Sequence, residues 1–462
     1  MLLFLCALVT ASSLAGPQHS LLGGAHGADL IPSYMAGCFV REGRPDKLMD
    51  YSQAERFQAH LRRINGLEQN GRTGPWLNPP WFAALFVPLA TLPFPAAQRA
   101  WLAFNGLLLA ASLVLLCRML APCRSIRAEP TVNAIPDPTR WVRPTCALPS
   151  GWRLWGLVPL LLITSMPFIQ ALASQQNTFL SLFFLTVTVA LWRKGHGLRA
   201  GLVAGLLLFK PQMAALVAAV LCCSLGRRAI AGLAITATAL LLSTAYAMPG
   251  ALADYVHKLP AMLPWLVSGR PYAWERQVTF QGFWRLLLQG RVTGPASGPV
   301  QLLWLACAAA TGAALLPALK NAATASAPSP ECSQDITSRD RLIAATIAMM
   351  PLLMPYYMDY DLLLLAVPAV LLAAERARVV VQPDRSSRAL MIGWAILFPW
   401  LFVNAEVGEA THVSPTVLLL TVMAGLYAYR AAMPLQESAG LATTATPPPA
   451  EDMGMSPIAV AA

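Results

Sequence analysis

The chain has 462 residues, of which 56% are hydrophobic and only 12% charged, and its mean hydropathy is positive. Soluble domains carry about 25% charged residues, so this balance excludes the ordinary water-soluble class and indicates an all-α polytopic membrane protein. The net charge of +11 then reads as membrane topology rather than as a nucleic-acid footprint, because Lys and Arg collect on the cytoplasmic side.

Taken in chain order, residues 1–16 (MLLFLCALVTASSLAG) form an apolar run that reaches about 24 Å as a helix. Small residues follow it, as in a signal peptide, but no basic residue precedes it, so a retained first membrane helix is expected. With the N-terminus inside, residues 17–79 form a large polar external loop. In NPPWFAALFVPLATLPFP the apolar part, 80–93, is short and flanked by prolines, which predicts a re-entrant or interfacial helix. The run 97–117 then returns to the cytoplasm and places Arg118, Arg124, Arg127, Arg140, Arg143 and Arg153 inside. Counting 80–93 as a full span would put all six outside.

Residues 154–170 and 177–192 continue the up-and-down pattern, with ASQQN outside and RKGHGLR inside. The next stretch, GLVAGLLLFKPQMAALVAAVLCC, carries Lys210-Pro211 in its middle. A mid-membrane lysine costs roughly 2.5–3.5 kcal/mol, and an interior proline about 3 kcal/mol of helix. A helix broken at Lys210-Pro211 removes both problems: two half-length helices go up and back, a cavity solvates the lysine, and Arg227-Arg228 fall inside. Spans at 229–248, 299–319, 342–354, 362–374, 389–403 and 414–429 complete about twelve, with 249–298 as a second large external loop. Residues 1–433 thus form one integral-membrane domain, and the Pro/Ala/Thr-rich tail 434–462 is expected to be a disordered cytosolic segment.

This threading puts the basic loops inside and the polar clusters outside: Asp29, Asn78, Gln175-Gln176-Asn177, Lys210, and Tyr356 to Asp361. Lys210 in an apolar setting needs an anion, which is either a structural partner at Asp359 or Asp361 or a substrate phosphate. Asp29 is either a helix N-cap or a general base whose pKa desolvation raises. Asp359 and Asp361 either cap a helix or hold a cation or sugar hydroxyls. In SGRPYAWERQVTFQGFW the arginines and aromatics are either interfacial anchors or a grip for phosphate and sugar. The nine cysteines and six histidines show no metal-ligand spacing, and Cys222-Cys223 is not a CxxC. Neither a disulfide framework nor a cofactor is expected, and a divalent metal, though compatible with such chemistry, is not indicated.

An Asp after the first helix, then NPP…PLATLPFP, QQN opening a span, FKPQ, and DYD opening a later span resemble glycosyltransferase family 87. The likeness runs from about residue 20 to 375. It implies a GT-C-like bundle in the bacterial plasma membrane with an extracytoplasmic active site. The implied activity moves mannose or another hexose from a polyprenyl-phosphate donor to a cell-envelope glycan or glycolipid acceptor, with membrane lipids as further partners and no nucleic acid. On the matching positions, Asp29 would be the catalytic base and Lys210 would face the donor phosphate; on the chemistry of the side chains, Arg276 is expected beside Lys210 at that phosphate, with Gln176, Asn177, Tyr357, Asp359 and Asp361 lining the substrate site. Family members often carry His before the DYD segment, where Met358 stands here. A transporter or flippase of lipid-linked sugar and a non-catalytic assembly subunit are the competing classes; broken helices with intramembrane charge are a hallmark of the former, but no repeat relates the two halves and the long first external loop has no obvious transport use.

Overall fold

The computed structural model describes residues 28–67, 74–120, 151–268, 272–324, 333–378 and 384–433. The expected first span at 1–16 and the tail 434–462 lie outside the described residues. Among those described, the architecture is helical throughout, and no strand forms beyond an isolated antiparallel bridge between Gln277 and Met358.

Two helices from the first polar segment pack on the bundle. Leu30–Arg41 buries Leu30, Met35, Ala36 and Phe39 on nearly every side. Tyr51–Ile64 shows the i, i+4, i+7 pattern of a surface helix, with Ala54, Gln58 and Leu61 inward, and Asp50 caps it by accepting from the Gln53 N–H at 3.2 Å. The proline-flanked segment forms no span: a short helix Pro80–Ala84 and a 3₁₀ turn Leu89–Thr91 fold under this layer. Phe82 stacks there on Phe209 with ring centroids 4.4 Å apart, which joins this segment to the turn before Lys210.

Among the described residues, four helices are long and apolar enough to cross a membrane: Phe94–Leu120, Arg227–Ala247, Gly298–Asn321 within the longer helix Gly298–Thr324, and Pro415–Ala432. The number becomes six if each of two bent pairs is one span, Gly156–Ile163 with Met166–Ala173 at 63° and Arg385–Trp400 with Asn404–Thr411 at 79°. Pro167 is the second residue of Met166–Ala173, in the first turn, where its missing N–H costs nothing. Thr178–Arg193 and the helices flanking Lys210 are apolar but shorter. The second polar segment is more ordered than a loop. It contains the helices Ala251–Ser268, with Pro260 and Pro264 inside it, and Phe280–Gln289.

The break at Lys210-Pro211 is present. Helix Gly197–Leu206 passes into a 3₁₀ turn Leu207–Phe209, Lys210 adopts φ −121° and ψ 76°, and a new helix Pro211–Leu225 starts on the proline. The first half is held by close backbone contact with Arg227–Ala247. A Cβ at Gly201 would lie 2.1 Å from the Ala229 carbonyl oxygen, and one at Gly232 2.1 Å from that of Leu198. Both glycines are therefore obligatory for the helix pair, which also fixes where Lys210 emerges. Gly201→Ala is expected to cost about 1–3 kcal/mol of stability as the helices are forced apart, read as a lower unfolding midpoint in detergent. An unchanged midpoint would show that the pair separates without cost.

A buried ion network lies at the far ends of the helices that carry the polar cluster described below. Arg193 and Arg378 both hold Asp340, with Arg193 Nε at 2.6 Å and Arg378 Nη2 at 3.0 Å. Arg341 and Arg430 share Glu375 at 2.6 and 2.8 Å, and Arg430 also reaches Asp384. Each carboxylate is therefore compensated, as buried charge requires.

Candidate functional site

Five chain segments that are remote in sequence converge at one end of the bundle: the start of helix Leu30–Arg41, the QQN turn, the Lys210 break, the Trp274–Arg276 turn, and the DYD segment against it. The QQN turn joins Met166–Ala173 to Thr178–Arg193. Gln175 there takes φ 54°, a left-handed conformation that a non-glycine residue adopts only under constraint. The constraint is visible: Trp101 Nε1 donates to the Gln175 carbonyl at 2.9 Å, and Asn105 Nδ2 to that of Gln176 at 3.4 Å. With its backbone pinned, Gln176 donates from Nε2 to a carboxylate oxygen of Asp29. The Asp29 N–H in turn donates to the Ser174 carbonyl at 3.3 Å.

The two aspartates of DYD are divided between two cations. Lys210 Nζ lies 3.0 and 3.2 Å from the carboxylate oxygens of Asp361, which also accepts from Thr178 Oγ1 at 2.6 Å. Arg276 meets Asp359 with two donors, Nη2 at 2.7 Å and Nε at 3.1 Å, and Gln170 Nε2 adds a third at 3.3 Å. The Arg276 guanidinium also lies over the Tyr360 ring, 6.0 Å from its centroid. Lys210, Asp359 and Asp361 are buried, whereas the Arg276 side chain keeps 31% exposure and is the more accessible cation.

Asp29 differs from both. It occupies the N-cap position of Leu30–Arg41, yet its side chain makes no capping hydrogen bond. It is exposed to solvent, and no cation stands at ion-pair distance among the described residues. Its carboxyl is nevertheless raised above the usual carboxylate range, because the protein packed around it desolvates it. The hydrogen bond from Gln176 and the charges of Arg276 and Lys210 lower it, without reversing that direction. The cluster thus holds two neutralised carboxylates and one open carboxylate with an elevated pKa, an arrangement suited to accepting a proton.

The remaining predicted residues are placed as follows. Asn177 is the N-cap residue of Thr178–Arg193 but forms no side-chain cap, and its Oδ1 is buried without a partner. Tyr357 sits behind the site, 1% exposed, with its hydroxyl donating to the Asp361 carbonyl at 2.8 Å, so it braces the segment. Gln170, Thr178 and Gln277 escaped the sequence reading, and Tyr360, inside the DYD motif, was given no role of its own. Thr178 adjoins the QQN motif; Gln170 and Gln277 looked like ordinary polar residues. Among the described residues, no three His, Cys, Asp or Glu side chains gather in a metal-binding group.

Beside this cluster a cavity of about 550 Å³ opens between helices, with Leu157, Leu161, Leu362, Leu363, Trp394 and Phe398 in its wall. Leu362 directly follows Asp361, and Pro167, also in the wall, lies one helical turn from Gln170. The single lining hydroxyl, Ser165, is already donated to the Leu162 carbonyl at 2.7 Å.

The family model of glycosyltransferase family 87 matches residues 76–332, more than half of the chain. That stretch contains Gln176, Lys210 and Arg276, while Asp29, Asp359 and Asp361 lie to either side of it. No curated protein and no solved structure matches the chain.

Proposed function

The chain belongs to glycosyltransferase family 87, a family of membrane glycosyltransferases, and from that premise we propose which donor it uses and how it transfers the sugar. The donor is a polyprenyl-phosphate-linked hexose, with mannose the first candidate, and the acceptor is an extracytoplasmic glycan or glycolipid. The observation that carries this reading is Asp29: an exposed carboxylate with a raised pKa and no paired cation, oriented by Gln176 next to two paired carboxylates.

In this mechanism Asp29 takes the proton of the acceptor hydroxyl as its oxygen bonds to the anomeric carbon. The bond from that carbon to the phosphate oxygen breaks with its electron pair going to the phosphate. Polyprenyl phosphate is a weak base and leaves without protonation, so one carboxylate suffices where a glycosidase needs two. Arg276, partly exposed, meets the phosphate first, and Lys210 adds its charge from behind Asp361. The unpartnered Asn177 Oδ1 and the equally orphaned Oε1 of Gln170 offer acceptors for sugar hydroxyls. The apolar cavity next to Leu362 and Leu363 supports a donor with a hydrocarbon tail.

The proposed topology is the threading of about twelve spans, with the active site outside a bacterial plasma membrane. It is supported by the ends of two helical segments. Thr178–Arg193 begins at Thr178 in the cluster and ends at Arg193, and the stretch from Asp359 to Arg378 likewise ends in the basic network. The test is to incubate purified protein with a panel of polyprenyl-phosphate sugars and an acceptor extract. Acceptor-dependent release of polyprenyl phosphate is expected from one donor class. Movement of intact donor across a vesicle without cleavage would instead establish a flippase.

A further inference from the structure

We propose that Gln277 is a positioning residue for glycosyl transfer, its buried amide holding Arg276 against Asp359 by tying together the two loops that carry them; this rests on the reading of the cluster as the transfer site. Arg276 and Asp359 are 83 residues apart in the chain, so nothing local brings them together. The loops meet at the lone antiparallel bridge between Gln277 and Met358, with the Val278 N–H donating to the Tyr357 carbonyl at 3.0 Å. A pairing this short is marginal by itself.

The Gln277 side chain supplies the missing links. The Tyr357 N–H donates to Gln277 Oε1 at 2.8 Å. A backbone N–H can only donate, so the facing atom must be the oxygen, and the orientation of the amide is thereby fixed. Nε2 then faces the Tyr272 hydroxyl at 2.8 Å and the Met358 sulfur. Gln277 is fully buried, and Gly282 makes the room for it: a Cβ there would stand 2.5 Å from the Gln277 Cβ. No polar atom of this side chain is left for a substrate. Its influence passes through the neighbouring Arg276, whose two-donor contact with Asp359 needs both loops in register.

Gln277→Met keeps most of the volume and removes the hydrogen bonds. It is expected to lower kcat by about 10–10²-fold, the scale of a misplaced group, with little change in acceptor KM. In a double-mutant cycle with Arg276→Gln the two losses should fail to multiply, since both remove the same placement of the guanidinium. Hydrogen exchange supplies a readout without activity: the amides of Val278 and Tyr357 should lose protection together while the global unfolding midpoint holds. Should the Met variant fold poorly, Gln277→Asn, with its amide on a shorter stem, is expected to loosen the same two amides. Losses that multiply, or protection retained at both amides, would overturn the assignment. A parent that transfers no sugar, with variants that still show the exchange pattern, would refute the glycosyl-transfer reading, and with it any catalytic part for Gln277, while leaving the tether in place.

Discussion

Asp29→Asn is expected to reduce turnover by about 10²–10⁴-fold, the usual contribution of a positioned base, while folding and donor affinity persist. The amide is close in size to the carboxylate, so the packing around Gln176 is kept. Stability should move the other way. The folded-state pKa of Asp29 is raised by desolvation, so the group favours the folded state when protonated. That contribution is present at low pH and withdrawn as pH rises through the elevated pKa. The amide does not titrate, and the variant should unfold no earlier than the parent at neutral pH. Loss of function with retained or increased stability separates a base from a structural residue. In the parent, kcat/KM should fall as pH drops through the same elevated pKa. A helix cap would behave differently, because Asn caps as well as Asp and its introduction would be silent.

Lys210→Gln is the second change with a large expected effect, and here stability and activity must be separated. Removing one member of a buried ion pair leaves the other charge uncompensated, at a cost of roughly 3–5 kcal/mol, so this variant should lose much of its folded population. The double variant Lys210→Gln/Asp361→Asn replaces the pair with two neutral amides that can hydrogen-bond to each other and to Thr178. It is expected to recover most of the unfolding midpoint. If the lysine also stabilises the phosphate, the recovered protein should still turn over poorly and bind donor weakly. Full activity in the double variant would mean that Lys210 is a structural cation alone.

The break at Lys210-Pro211 was legible because two residues hostile to a membrane helix stood together in an apolar run, and insertion costs allow few ways to accommodate them. The gathering of Asp29, Gln176, Lys210 and the DYD aspartates at one end was legible from charge segregation between loops. The pairings were not. Nothing in a linear pattern says that Lys210 selects Asp361 and Arg276 selects Asp359, since that depends on how helices 178–193 and 166–173 rotate against the DYD segment. The segment 249–298 reads as one external loop, yet it contains Ala251–Ser268, which remains helical through Pro260 and Pro264 although interior prolines disfavour a helix. Gln277 was invisible because an amide's value lies in the backbone it faces, which only the folded chain reveals.

The anomeric configuration of the product tests most directly whether Asp29 acts as a base in a single displacement. A donor of known configuration is used, and the new glycosidic bond is read by NMR coupling constants before any secondary hydrolysis. One displacement on the anomeric carbon predicts inversion, so a β-linked donor should yield an α-linked product. Retention would require a double displacement or attack on the same face as the departing phosphate, and either would contradict the single in-line displacement assigned to Asp29 as base.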